Sequence, residues 1–429
     1  MNNKFDVIVI GAGTSGLMAA IAAAEAGSRV LLLEKNKRIG KKLLLTGGGR
    51  CNVTNKRTPE EIIEHIPGNG KFLYSAFSQY TNQDIIHFFE SNGVSLKEED
   101  HGRMFPVTDR SQTIVEALYA KLMELGGTLY TEAPVKRLLR KEQQIIGVEL
   151  KNKKIYAPCV IVSTGGKTYP STGSTGDGYI FAKALGHHIE PLYPTESPIR
   201  SEEAFIKNKT LQGISLRDVQ LAVLGENGKP VTSHQMDLLF THFGLSGPAA
   251  LRCSSFVNQL LKKNPEQPVK LTLDIFPDKS LQELLSEIKK KIAKTSEKQL
   301  KNSLKQLLPE RLLEFFLDRH TLLSLTGRQV TEQQLEDLAV EMKNFIILAT
   351  GTFPLEKSFV TGGGVSLKEI QPKTLESKLV QGLFFCGEVL DINGYTGGYN
   401  ITAALVTGHT AGVHAAEIAE YSAYLLDDY

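Results

Sequence analysis

The stretch FDVIVIGAGTSG, Phe5 to Gly16, limits the fold of this chain more than any other. An apolar run ends directly on a glycine, and Gly11, Gly13 and Gly16 form G-x-G-x-x-G. The first glycine permits a tight turn and the second lets a phosphate approach the backbone. The third lets the following helix press against a sheet. Ser15 to Ala26 is nearly all Ala, Leu, Ile and Met, the composition of a helix buried between layers. Its first turn, with Thr14 and Ser15, points free N–H groups and the positive dipole end at a pyrophosphate. Gly27 stops it, Arg29 to Leu33 reads as a second strand, and Glu34 stands at that strand's end. Glycine-rich turns also occur for purely structural reasons. Here a strand precedes, a helix follows, and an acid 18 positions beyond Gly16 is placed to bind ribose hydroxyls. An acid at that point disfavours a 2′-phosphate, so FAD or NAD is expected rather than NADP.

The residues after Glu34 decide between them. Lys35 to Asn55 is basic and glycine-rich around Gly47-Gly48-Gly49-Arg50-Cys51-Asn52, where an NAD domain would run on into another helix and strand. Such a loop suits a chain that follows a long cofactor past its pyrophosphate, so FAD is favoured. Forty-nine basic against 47 acidic side chains give no global field demanding nucleic acid or membrane. Cys51, Cys159, Cys253 and Cys386 show no C-x-x-C or metal-ligand spacing. That pattern implies a reducing cytoplasm, no metal site and no disulfide-reductase chemistry. The N-terminus enters the fold at once without a signal peptide, and no apolar run has transmembrane length.

Along the chain, Asn82 to Ser91 and Ser111 to Leu125 carry helical patterns, the second with Asp109-Arg110-Ser111 as its cap. Thr128 to Leu150 reads as a strand meander, and Lys154 to Ser163 as a strand running into Thr164-Gly165-Gly166. From Pro191 the texture changes to short β-like runs, and 278–345 is helical. The glycine-rich style returns at Thr361-Gly362-Gly363-Gly364. It continues through a buried strand, Gly382 to Cys386, into a small-residue helix from about Asn400. The expected organisation is α/β. A discontinuous Rossmann-like domain (1–190 and 356–429) would enclose a β-rich insertion (191–276 and 346–355) with a helical subdomain (277–345).

Several separated motifs share one resemblance. GKKLLLTGGGRCNVTN, GRMFPVTDRS, TGGKTYPSTGSTGDGY, LLFTHFGLSGPAAL, VTGGGV and NGYTGGYNITAALVTG occur in this order. Together they resemble the bacterial BaiN/RdsA-type flavoproteins of the two-dinucleotide-fold superfamily, across essentially the whole chain. That resemblance implies an FAD domain built from both chain ends, with a β-barrel-like domain and a helical piece inserted. It also implies a flavin oxidoreductase. One branch of the family is implicated in reducing a uridine of large-subunit (23S) ribosomal RNA to 5,6-dihydrouridine, and another member in bile-acid breakdown. The cofactor set expected from motif and resemblance together is Gly11, Gly13, Thr14, Ser15, Gly16, Glu34, Lys35, Lys42, Thr46, Gly47, Gly48, Arg50, Cys51 and Asn52. Further along it includes Val135, Thr164, Gly165, Gly166, Gly387, Glu388, Asp391, Gly397, Gly398, Tyr399 and Asn400.

For catalysis, Cys51 stands out. Dihydrouridine formation takes a hydride at C6 and a proton at C5, and a thiol beside the ring is a candidate acid. The plainer reading is a small side chain packed beneath the cofactor. His242, Tyr169 and Arg103 are further loop candidates, each with a structural alternative. His187-His188 reads as a cationic C-terminal cap. Between Leu260 and Pro309 there are eleven lysines and six acids. This is either a solvated face or a phosphate-neutralising patch for ribosomal RNA. No second G-x-G-x-x-G has strand and helix context, so NAD(P)H would reach the flavin only transiently. Three functions follow: an rRNA dihydrouridine synthase, an FAD oxidoreductase of a small amine or enone, or a flavin-loaded RNA-binding and assembly module without turnover.

Overall fold

A computed structural model describes residues 5–427. They divide into two units, 5–193 with 355–427 and 194–354. In the first, the strands β1 (Val7–Ile10), β2 (Val30–Leu33), β3 (Thr128–Tyr130), β4 (Cys159–Val162) and β5 (Leu383–Phe385) form one parallel sheet. Its order is β5-β4-β1-β2-β3. Four of these strands, VIVI, VLLL, CVIV and LFF, are buried throughout, as strands covered on both faces must be. The chain runs outward from β1 to β3 and then returns to β4, so the topology reverses between β1 and β4. Ligands of open α/β sheets bind at such a crevice.

The helix α1 (Thr14–Glu25) lies against α2 (Tyr399–Asp427), and glycines set how closely they approach. A Cβ on Gly408 would overlap the Ser15 carbonyl oxygen, and one on Gly412 that of Ala19. The small-residue composition of both helices therefore reflects backbone-to-backbone packing.

Two details differ from expectation. Thr128–Tyr130 pairs with β2 instead of opening the meander, which consists of Arg137–Lys141, Gln144–Glu149 and Lys154–Tyr156. Asp109 does not cap the helix Ser111–Glu124. It accepts from Lys97 Nζ at 2.6 Å, while Ser111 Oγ donates to the Leu44 carbonyl.

The second unit holds a seven-stranded antiparallel sheet. Its order is Phe345–Ala349, Val269–Asp274, Ser215–Leu224, Pro230–Phe240, Gly244–Ser246, Ile199–Arg200, Gly351–Thr352. The first and last strands of that order are consecutive in the chain, separated only by Thr350. One continuous segment thus pairs at both edges, and the sheet closes on itself as a barrel. The helices Leu281–Ala293 and Glu332–Lys343 start in capping boxes at Ser280 and Thr331. Their apolar faces (Leu284, Ile288, Leu338, Met342) share one buried cluster with Leu271 and Ile347 of the sheet. The helical piece has no separate core.

Candidate functional site

The turn between β1 and α1 separates the tasks of its three glycines. Gly11 has φ +101°, and a Cβ there would meet the Ser163 carbonyl oxygen at 2.7 Å. A Cβ on Gly16 would overlap the Gly11 carbonyl oxygen. Both positions exclude side chains for reasons internal to the fold. At Gly13 a Cβ would meet nothing within 4 Å. Gly13 is the N-cap of α1, and no side chain caps the N–H groups there. Thr14 and Ser15 follow directly. Ser163, just after β4, closes the switch point by donating from Oγ to the Ile10 and Gly11 carbonyls at 2.8 and 3.0 Å.

Glu34 is buried at the end of β2. One carboxylate oxygen accepts the Ala12 N–H at 3.0 Å, and the other accepts the backbone and side-chain N–H of Asn36 at 2.7 Å. The acid is thereby fixed beside the glycine turn. Val135 lies two residues past Ala133, whose N–H donates to the Glu34 carbonyl, so it belongs to this end of the sheet.

Beyond β4 and β5 a second group converges. Lys42 Nζ lies 2.6 Å from both Glu388 Oε2 and Thr168 Oγ1, and the Thr361 N–H donates to Glu388 Oε1 at 2.9 Å. Thr361 Oγ1 accepts from Lys167 N–H at 2.9 Å. Gly165 and Gly166 pass directly over this group, since a Cβ on Gly166 would overlap Thr361 Oγ1. The Thr164 hydroxyl is buried beside it without a partner. Gly387 (φ +75°) abuts Ser15 of α1, which joins this group to the glycine turn. Burial alone would raise the Glu388 carboxyl, but the Lys42 ammonium and the Thr361 donors outweigh it and hold the group below its usual value. A depressed folded-state value stabilises the fold above the ordinary carboxyl value and is lost as pH falls through the folded one. Wild type should therefore melt above Glu388→Gln at pH 7, with the gap closing on acidification below about 4.5. Equal melting temperatures at pH 7 would show that the pair contributes nothing.

The third part joins the glycine-rich loop to the start of α2. With its amide oriented to satisfy both ends, Asn52 accepts from Gly398 N–H at 2.9 Å and donates to the Thr54 carbonyl at 3.0 Å. Asn55 Nδ2 donates to the Gly397 carbonyl at 3.0 Å. A Cβ on Gly398 would stand 2.7 Å from the Thr54 carbonyl oxygen. Asn400 grips Gly394 through both its amide atoms at 2.8 Å, and Tyr399 stacks on His65 at 4.7 Å. Thr46 accepts the Cys51 N–H through its carbonyl, and Gly47 and Gly48 are exposed in the left-handed region.

Other expected residues stand apart. Arg50 forms a fork on Glu99 (2.7 and 2.9 Å), reaches Asp109 at 3.2 Å and covers the Phe105 ring at 4.1 Å. Its charge is used within the protein. Lys35 is likewise drawn to Asp177 at 2.6 Å, and Asp391 accepts from Asn69 Nδ2 at 2.9 Å. Arg103 donates to the Asp100 carbonyl. His242 is exposed in the second unit, edge-on to Phe243. Tyr169 is half-buried in the loop after Thr168. His187 is no cationic cap: it is buried between Glu369 (3.0 Å) and Ser377 (2.9 Å), and burial pushes its value down against the pull of Glu369.

Cys51 is 0% exposed, and burial pushes its thiol up to about 12, against a hydrogen bond from Thr46. Complete burial is what the packing alternative for Cys51 requires. Cys51→Ala should leave single-turnover reoxidation within about threefold of wild type, where losing a general acid costs about 10²–10⁴. A stability loss of about 1–2 kcal/mol should accompany it. A hundredfold slower rate would restore the acid role.

Thr168 and Thr361 lie outside the expected set. Both sit inside recognisable motifs, TGGKTYP and VTGGGV, but nothing local signals that their hydroxyls meet one distant carboxylate.

The parallel sheet, its switch point and the glycine turn define a Rossmann-type fold of the dinucleotide-binding class. FAD fits the residues present: an open approach at Gly13, a fixed acid at the strand end, and an unpartnered buried hydroxyl at Thr164. The chain belongs to the HI0933-like protein family of FAD-dependent oxidoreductases, matching its Rossmann domain over residues 5–414. It is 31% identical to the ribosomal RNA dihydrouridine synthase of Haemophilus influenzae over 404 residues, covering 93% of this chain and 96% of the relative. It is 29% identical to a 3-dehydro-bile acid delta(4,6)-reductase of Clostridium scindens, covering 95% and 98%. Among solved structures, the 3-ketosteroid-delta4-(5alpha)-dehydrogenase of Rhodococcus jostii RHA1 shares the fold, with a TM-score of 0.54, 16% identity and 97% of each chain covered.

Proposed function

We propose that this protein reduces a uridine of large-subunit ribosomal RNA to 5,6-dihydrouridine in the cytoplasm. The observation that carries this reading is the similarity to the Haemophilus influenzae enzyme over nearly the full length of both chains. FAD, when bound, supplies the hydride equivalent. The turn at Gly11 to Gly16 would hold its pyrophosphate, Glu34 its adenosine ribose, and the Lys42–Glu388–Thr168 group its ribityl side. The N–H groups and dipole at the start of α2, Gly397 to Asn400, would favour negative charge on a flavin held beside them. Adding hydride at C6 of uracil leaves negative charge that a proton at C5 must quench. With Cys51 sealed, that proton comes from water admitted with the substrate.

The target base must leave its stack, so a single-stranded or partly assembled RNA is the substrate form. NAD(P)H visits transiently as reductant, with no Rossmann domain of its own. The similarity to the bile-acid reductase favours a second reading, an enone as substrate. Uracil and a dienone share a C=C bond conjugated to a carbonyl, and both reductions add hydride and then a proton. Among the described residues, no helix is long and apolar enough to cross a membrane. The test is anaerobic incubation of reduced, FAD-loaded protein with unmodified ribosomal RNA. Mass spectrometry should find one uridine two mass units heavier; an unchanged RNA beside a reduced enone would shift the assignment to the second reading.

A further inference from the structure

Two aromatic rings stand beside the Lys42–Glu388 group, and none of the cofactor contacts above uses them. Tyr169 and Phe359 lie on separate loops with ring centroids 5.8 Å apart and planes inclined by 47°. The loops are zipped together by three hydrogen bonds. Tyr169 N–H donates to the Glu356 carbonyl at 3.1 Å, Thr168 Oγ1 to that of Phe359 at 3.4 Å, and Lys167 N–H to Thr361 Oγ1 at 2.9 Å. The last two bonds tie the rings to the residues that hold Glu388. Phe359 is nevertheless 45% exposed, which a ring serving only as core would not be. Tyr169 adopts φ 51°, ψ 61°, the left-handed region that a bulky side chain rarely enters. Thr172 fixes it there, since both its N–H and its hydroxyl donate to the Tyr169 carbonyl at 2.9 and 2.8 Å. A strained backbone held by several bonds beside a functional group of residues is a common mark of a ligand contact.

Resting on the rRNA reading above, we propose that Tyr169 and Phe359 form a stacking platform for the base next to the target uridine in single-stranded RNA. Turning a uridine out of its strand leaves its neighbour without a stacking partner, and an aromatic face replaces that partner whatever the base. Lys167 stands exposed one residue before Thr168, within reach of the strand's phosphates.

The experiment uses FAD-loaded full-length protein and an oligouridylate of about ten nucleotides, within the usual site size, carrying one 2-aminopurine. Wild type should bind it and quench its fluorescence. Tyr169→Leu with Phe359→Leu keeps the apolar volume but removes both π-faces. It should weaken binding roughly 5- to 150-fold and abolish quenching, the range expected for one lost stacked base. Tyr169→Phe should bind like wild type. Flavin content and reduction by dithionite should be unchanged in all variants. Binding and quenching by the double-leucine protein equal to wild type would overturn the platform, as would a Tyr169→Phe defect as large as that of Tyr169→Leu. Failure of the rRNA reading would look different: ring-dependent binding of the oligonucleotide would persist while no ribosomal RNA gained dihydrouridine.

Discussion

Gly13→Val is expected to yield a folded protein that is colourless. Nothing lies within 4 Å of where a Cβ on Gly13 would stand, and its φ of −86° suits any residue, so the fold itself accepts valine. The space that valine would fill is the approach to the N-terminal N–H groups of α1. Occupying it removes phosphate contacts and adds overpacking of about 1–3 kcal/mol. An affinity loss of at least about a hundredfold follows from roughly 2.7 kcal/mol. Gly16→Ala is the contrasting variant. Its Cβ would overlap the Gly11 carbonyl, so it should lower the melting temperature as well as the flavin content. The measurements are flavin absorbance per chain and thermal melts. Full FAD occupancy in Gly13→Val would remove the pyrophosphate from this turn.

Reversing Lys290, Lys294, Lys298 and Lys305 to glutamate should strip RNA affinity. The helix Leu281–Ala293 buries Leu284, Ile288 and Ile292, and these four lysines are exposed in and after it. Several neighbours are already committed: Lys289 to Glu332, Lys291 and Lys279 to Glu287, Lys301 to Glu314. None of the four has an acidic partner among the described residues. Four lost phosphate contacts would flatten the log–log salt dependence by about 2.8 on single-stranded RNA. Near physiological salt that amounts to about a hundredfold weaker binding. An unchanged affinity and slope across a salt titration would make this face a solvated surface.

What can be read from the sequence is what is encoded locally. Gly11, Gly13 and Gly16 announce their roles because the strand, turn and helix around them are contiguous, and the unbroken apolar runs of β1 and β2 announce a sheet covered on both sides. Contacts between distant segments are not legible. Lys42 and Glu388 are 346 residues apart, and no local pattern says that Thr168 and Thr361 share their carboxylate. Arg50 sits in the middle of a glycine-rich motif, yet Glu99 and Asp109, 49 and 59 residues further on, claim its guanidinium. Cys51 reads as a candidate acid because the cofactor loop would place a thiol beside the flavin ring. The fold seals it instead, in a left-handed conformation (φ 61°) unusual for a non-glycine residue. Barrel closure depends on a single residue, Thr350, between two short strands, which composition cannot reveal.

The most direct test of the central claim is mass-spectrometric mapping of dihydrouridine in large-subunit ribosomal RNA from a strain lacking this gene. One dihydrouridine should be missing, return on complementation with the wild-type gene, and stay missing with Gly13→Val. Identical dihydrouridine maps with and without the gene would contradict the account.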